Sequence, residues 1–334
     1  MPKFILSQAL RFILLLFAVS FLVFALVSAS PTDPLSQNVG QAALANMSEG
    51  KIEQLNSWWG TDTPFFERYF NWLSSFLSGD MGTSLRFNAP VSQVIANRAA
   101  SSLALMVIAW LISGVFGFLL GVLSGMKQSS VVDKCVRAYC FLLASTPTFW
   151  LALILLMVFS VGLGMFPVGF ATPIGKAAAD VTFADVAVHI TLPAMTLSIT
   201  GIANICLHTR EKVIDVMNSD YVRYAKAMGQ SNFAICTRHV LRNVSLPAIT
   251  LQCASVAEIF GGSVLVEQVF SYPGLGQAAV SAGLGGDAAL LCAIALISAI
   301  IVFASNLFAN ILYGVLDPRM RKAGNTRMQK LDTP

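Results

Sequence analysis

Six apolar runs, each about as long as a bilayer-crossing helix, constrain this chain more than any other feature. A helix needs roughly 20 mostly apolar residues to span the hydrocarbon core of a membrane. The runs Phe12–Ser30, Ser101–Met126, Val136–Val161, Val188–Cys206, Leu246–Val266 and Ala288–Leu316 meet that requirement. The 334 residues are therefore read as an all-α polytopic membrane protein with six transmembrane helices. Composition agrees with this: 56% of the residues are hydrophobic and only 11% are charged, against about a quarter charged in soluble domains.

Charge sets the orientation. All 21 Lys and Arg residues lie outside these runs or at their margins. Sixteen fall in the N-terminus, the loop around Lys127–Arg137, the loop Leu207–Ser245 and the C-terminal tail, and five in the loops 31–98, 162–187 and 267–287. The positive-inside rule then predicts both termini in the cytoplasm, as an even number of spans requires. The first run also reads as a signal peptide, with Lys3 and Arg11 before it and Val27-Ser-Ala-Ser30 at its end. It is longer than a usual signal core, which favours a retained helix. Cys135, Cys140, Cys206, Cys236, Cys253 and Cys292 are scattered, so neither a disulfide framework nor a zinc site is expected. The net charge of +4 comes from the cytoplasmic loops and gives no reason to invoke nucleic acid.

The loop 31–98 carries Trp58, Trp59, Phe65, Phe66, Tyr69, Phe70 and Trp72. Short amphipathic helices lying on the bilayer explain such a belt, and a docking surface for an external partner explains it too. Gly117, Gly121 and Gly125 recur every four residues in the second run, near Gly114. Small residues on one face let helix backbones approach closely, a packing signal. Ser145-Thr-Pro-Thr-Phe-Trp150 opens the third run, and Pro147 is expected to kink a helix or begin one. Asn306 and Asn310 share a face of the last run, where interhelical hydrogen bonds are the default reading. Glu258 is the acidic residue inside a run. A charge at that depth costs about 2.5–3.5 kcal/mol, so Glu258 is expected to line a path or to be a hydrogen-bonded structural carboxyl. His189, a single His in its stretch of the chain, is not read as a metal ligand.

The basic loop Leu207–Ser245 is the largest insert between apolar runs on its side. Asn218, Ser219 or Asp220 can cap a helix through Tyr221–Met228, and Gly229 suits the left-handed position that ends one. Ser231 can cap a second helix running to about Asn243, before Leu246-Pro247. Tyr221, Tyr224, Ala225 and Met228 fall on one face by i, i+3, i+4, i+7 spacing, flanked by Arg223 and Lys226. Spacing alone leaves two readings open, a helix lying on anionic lipid and a helix docked against protein. The chain lacks Gly-x-x-x-x-Gly-Lys-Ser/Thr, Gly-x-Ser-x-Gly and His-Glu-x-x-His signatures, and Leu284-Gly-Gly-Asp287 departs from the intramembrane aspartyl protease motif.

The ordered motifs resemble those of permeases in the oligopeptide/dipeptide/nickel branch of ABC importers. Ser30-Pro-Thr-Asp-Pro34 is similar to that family's Ala-Pro-Gly-Asp-Pro, and Gly79-Asp-Met-Gly-Thr-Ser-Leu85 to its Gly-Asp-Leu-Gly-x-Ser. Ser145–Trp150 resembles Ser-x-Pro-x-Phe-Trp, and His189-Ile-Thr-Leu-Pro193 resembles His-x-x-Leu-Pro. Leu265–Gly276 resembles Val-Glu-x-Val-Phe-x-x-Pro-Gly-Leu-Gly, and Leu316-Asp-Pro-Arg319 closes the last run as in the family. Asp220–Gly229 resembles the family's EAA loop, with Arg223-Tyr-Ala225 where the founding motif has Glu-Ala-Ala. Glu258 stands where the family is usually uncharged, and Asn310 where Asp is common.

This resemblance implies a type I importer permease with a MetI-like fold in the bacterial inner membrane. It implies an N-terminal helix over 1–30, an extracytoplasmic loop over 31–98, and a five-helix core over 99–317 containing the coupling loop 207–245. A cytoplasmic tail follows over 318–334. It further implies a second, homologous permease chain, two ATPase subunits carrying ATP and Mg, an extracytoplasmic solute-binding protein, and no cofactor or catalysis on this chain. Tyr221, Arg223, Tyr224, Ala225, Met228 and Gly229 become the ATPase-coupling segment, and alternating access the mechanism. Peptides are the expected cargo, with nickel or another metal chelate as the alternative. A stand-alone secondary transporter or channel is the reading from another class.

Overall fold

A computed structural model of the chain describes residues 2–29, 47–51 and 63–316. Its regular structure is almost all helix. In order come α1 (Pro2–Ala29), α2 (Phe65–Leu77), a minimal hairpin of β1 (Thr83–Ser84) and β2 (Ala89–Pro90), α3 (Val91–Met126), α4 (Val131–Ala144) and α5 (Thr148–Leu155). A wide π turn, Leu156–Gly162, extends α5. Then follow α6 (Phe183–Met217), α7 (Asp220–Ala227), α8 (Asn232–Ile235), a second π turn at Cys236–Val240, α9 (Leu241–Ala254), α10 (Val256–Val269), α11 (Leu275–Leu284) and α12 (Ala288–Leu316).

Four stretches are long and apolar enough to cross a membrane: Leu10–Ala29, Val91–Met126, Phe183–Met217 and Ala288–Phe308. Two bent pairs complete six if each counts as one span. The expected third run is one of these, and it is not a single helix. Val131–Ala144 and Thr148–Gly162 meet at 104°. The N–H groups of Ser145 and Thr146 close α4 on Phe141 O and Leu143 O. Pro147, lacking an N–H, then takes the cap position of α5, where no donor is required. The fifth run bends by 46° between α9 and α10. Pro147 is thus a helix start. Pro247, expected to follow a helix end, lies inside α9, where buried Val244 and Ala248 flank it and tertiary packing outweighs the lost backbone bond.

The fourth run is also longer than its apolar part. Thr182 and Asp185 form a reciprocal capping box at the start of α6. The helix then continues 11 residues past Cys206 through Arg210, Glu211 and Lys212 to Met217.

The chain divides into two compact units. The first comprises residues 1–103 and 272–301. There Tyr69 of α2 is fully buried against α1, its hydroxyl 2.9 Å from Ser20 Oγ and its ring among Phe17, Phe21 and Phe24. Phe66 and Phe70 on the other side of α2 stay exposed, as an interfacial helix requires. Trp58 and Trp59 lie outside the described residues. Asp287 caps α12 through the Leu290 N–H, accepts from Ser84 Oγ at 2.6 Å and from the Arg86 N–H at 3.1 Å, and so anchors the hairpin. The Gly79–Leu85 motif thereby acquires a physical role.

The second unit comprises, of the described residues, 104–271 and 302–316. Its spine is the pair α3 and α6. A Cβ added at Gly117 would stand 2.9 Å from Ile205 Cβ. One at Gly121 would stand 2.6 Å from Thr209 Cβ, and one at Gly125 2.6 Å from Val213. Each four-residue step on α3 meets a four-residue step on α6, so the two helices run parallel in backbone contact. His189 sets its Nδ1 2.9 Å from Gly169 O and 3.3 Å from Phe170 O, which fixes the loop before α6.

Candidate functional site

The site grows from the basic loop between α6 and α9. Ser219 turns the chain out of α6. Its hydroxyl donates to Val216 O at 2.5 Å and leaves the start of α7 without a side-chain cap. Two turns later α7 closes in a Schellman arrangement: the Gly229 N–H donates to Lys226 O at 2.9 Å and the Gln230 N–H to Ala225 O at 3.1 Å. Gly229 has φ +79°, the left-handed conformation that this closure requires. Ser231 then caps α8 through the Ala234 N–H.

One face of α7 is buried. Val222 is inaccessible and Ala225 is 4% exposed, packed with Val122, Val213, Ile235, Val240 and Val244. The other face is open: Tyr221, Tyr224 and Met228 are exposed, Tyr224 at 69%, with Phe233 of α8 beside them in sequence at 79%. Arg223 and Lys226 flank them; Arg223 Nη1 lies 3.7 Å from Asp220 Oδ1. The ring of Tyr221 lies 5.9 Å from that of His239.

This corrects the expectation that Ala225 shares an outward face with Tyr221, Tyr224 and Met228. The spacing places the four within one wide arc, and Val222 decides which edge turns inward. Ala225 seats the helix, and a small side chain there lets α7 lie close to the spine. Val222, Ile235 and Phe233 were not singled out from sequence; an apolar residue at 222 between Asp220 and Arg223 was the available signal.

Glu258 is exposed on α10, four residues past the bend with α9, and accepts from Asn204 Nδ2 of α6 at 3.4 Å. Gly261, one turn on, has nothing within 4 Å of an added Cβ. Other acids also lie in the two bent pairs: Glu267 is completely buried in α10 and Asp133 almost completely in α4. Sequence limits drawn at Val136 and Val266 excluded both. Asn306 stands exposed on α12, and the interhelical bond near it is made by Ser305 Oγ to Cys253 O at 2.9 Å. The Asn310 side chain lies outside the described residues. Among the described residues no three His, Cys, Asp or Glu side chains cluster in a way that could hold a metal.

Residues 117–322 match the family described as "Binding-protein-dependent transport system inner membrane component", and residues 1–107 match the N-terminal domain that accompanies it. The chain is 34% identical over 321 residues to the oligopeptide transport system permease protein AppB of Bacillus subtilis, covering 96% of this chain and 99% of that protein. It is 32% identical over 323 residues to a putative peptide permease protein of Brucella suis, covering 96% and 99%. It is 32% identical over 322 residues to the di/tripeptide transport system permease protein DppB of Pseudomonas aeruginosa, covering 91% and 94%.

Proposed function

The chain belongs to the binding-protein-dependent transport system inner membrane component family, and from that premise we propose that it is the permease subunit of an ATP-driven importer of di- and oligopeptides. The carrying observation is near full-length similarity to three permeases whose names specify peptides. The partners in this reading are a second permease chain, two ATPases that hold ATP and Mg, and an external binding protein. Both termini and the loop 207–245 face the cytoplasm, following the asymmetry of basic residues.

Within this reading α7 couples ATP hydrolysis to transport. Its open face of two tyrosines and a methionine, rimmed by Arg223 and Lys226, has the composition of a docking surface, in which aromatic residues, Met and Arg are enriched. Glu258 and Asn204 line the path, because an exposed carboxylate among apolar helices needs water or another protein beside it. Liganded binding protein opens the outer side, ATP closes the ATPases, and α7 carries that closure into the helices.

The test is reconstitution of the complete complex in vesicles with binding protein and a radiolabelled dipeptide. Uptake that depends on ATP and on the binding protein is expected. Tyr224→Ala and Met228→Ala are expected to insert normally and to lose ATPase during detergent extraction. Full retention of ATPase in a Tyr224→Ala/Met228→Ala chain would show that α7 is a membrane-surface helix.

A further inference from the structure

Asp133 is the focus of a polar cluster that transport by itself does not explain. It lies in the first turn of α4 and is 1% exposed. Ser124 Oγ of α3 donates to Oδ1 at 2.6 Å, and the Ser129 N–H donates to Oδ2 at 2.9 Å. Arg210 of α6 donates from Nε to Oδ1 at 2.6 Å and from Nη2 to Oδ2 at 2.8 Å. The Asp133 N–H in turn donates to Ser130 Oγ, the cap of α4. Ser129 is held at φ +65°, a conformation that a residue with a Cβ adopts only under constraint.

A forked Arg–carboxylate pair fixes direction as well as distance. As a source of stability it is poor, since removing two charges from water offsets most of their attraction. Its geometric product is clear: one carboxylate joins the end of α3, the Lys127–Ser130 turn, the start of α4 and the last third of α6. The same level of α6 carries α7. An added Cβ at Gly125 would meet Val213 at 2.6 Å and Arg210 O at 3.0 Å, so α3 and α6 have no clearance there. Val213 and Val122 form the floor on which Val222 and Ala225 sit. At its other end α4 stops at the 104° bend with α5.

We propose that Asp133 and Arg210 are positioning residues for coupling. They bind the start of α4 to the body on which α7 rides, so that displacement of α7 moves α3, α4 and α6 together and reaches the bend at Pro147. This rests on the reading of α7 as the coupling helix. A structural tie alone would make the pair matter for assembly and leave coupling unchanged in any variant that assembles.

The complete complex is reconstituted with Asp133→Asn, Arg210→Lys, or the double replacement Asp133→Leu/Arg210→Met. The double variant removes both charges and avoids an unpaired buried one. Subunit ratio, basal ATP hydrolysis, hydrolysis stimulated by liganded binding protein, and peptide uptake are measured on the same vesicles. Arg210→Lys, which keeps the charge and loses the fork, is expected to assemble with wild-type basal hydrolysis. Its stimulation ratio should fall at least about fivefold, the low end of usual coupling factors. The double variant should likewise assemble and remain unstimulated. Wild-type stimulation in any assembled variant overturns the proposal, as does failure of all three to assemble, which marks a purely structural pair. Tyr224→Ala runs beside them. If it is stimulated normally while Arg210→Lys is not, the coupling role of α7 fails and the importance of the pair does not.

Discussion

Replacing Gly229 tests the link between one backbone angle and transport. At φ +79° any residue with a Cβ is strained, by roughly 1–2 kcal/mol. An added Cβ meets nothing within 4 Å, so no clash within the chain augments that cost. The strain competes with what holds α7 down. Burial of Val222 supplies about 1.5–3 kcal/mol, and the two closing bonds from Gly229 and Gln230 supply about 1 kcal/mol each. Strain of this size weakens the seating of α7 by about tenfold for each 1.4 kcal/mol and leaves the membrane helices unaffected.

Gly229→Val, branched at Cβ, is expected to suffer most, Gly229→Ala less, and Gly229→Asn least, because Asn tolerates the left-handed region. The assay is ATP hydrolysis stimulated by liganded binding protein in reconstituted vesicles, with subunit ratio measured on the same sample. Stimulation should fall in the order Asn, Ala, Val while all three assemble. Wild-type stimulation in Gly229→Val would falsify the coupling assignment. An Asn variant as impaired as Val would show that side-chain bulk against a docked partner matters, and not backbone conformation.

Gly121→Val places a side chain 2.6 Å from Thr209 Cβ and 2.7 Å from Cys206 O; α3 and α6 must then part by about 1 Å to reach ordinary contact, and the yield of folded complex in detergent should drop sharply. Ala225→Asp buries an unpaired carboxylate beneath α7; release of the ATPase on extraction is expected, whereas Ala225→Ser should retain it. Glu258→Gln should preserve assembly and the bond from Asn204, and Glu258→Leu should impair uptake more strongly; unchanged uptake in both removes Glu258 from the path. Cysteine probes placed near Lys51 or Lys176 should react with an impermeant reagent from outside, and one near Lys226 only after permeabilisation; outside labelling near Lys226 contradicts the topology.

The membrane helices were legible because water exclusion needs long apolar runs, and such runs leave little ambiguity. Their ends were less so. Hydropathy stops at Cys206, whereas α6 continues to Met217, because a helix in water needs only its own backbone bonds and a packed face. Pro147 announced a break without its angle, since both a kinked helix and a new one satisfy a residue lacking an N–H. The glycine series showed close packing but not its partner: Ile205, Thr209 and Val213 are identified only by the fold. The Asp133–Arg210 fork joins residues 77 apart, and nothing local to either distinguishes it from an ordinary loop charge. In α7 the arc of Tyr221, Tyr224, Ala225 and Met228 was visible, and its division into an open and a seated edge required the core beneath it.

Within residues 104–271 the backbone itself separates rigid from yielding elements. α3 and α6 touch through glycines at distances that leave no room to slide. Each runs as one unbroken helix, α6 with Pro193 inside it, and the buried fork ties their ends to α4. The interruptions fall elsewhere. One is the 104° turn at Pro147 and another the π turn Leu156–Gly162. The others are the π turn Cys236–Val240 and the 46° bend before α10. Each replaces or breaks the regular i to i−4 ladder, which lowers the cost of further rotation there. α7 is seated on the rigid part, next to Val213, and Glu258 stands just beyond one of the interruptions. If α7 is the coupling helix, as proposed, a push delivered to it is expected to move the α3–α6 spine as a body and to be absorbed at the bends. In that arrangement the Glu258–Asn204 contact bridges a yielding helix and the spine at 3.4 Å, and a crosslink between cysteines placed at 204 and 258 is expected to lower uptake, whereas unchanged uptake would mean that the two helices do not part there.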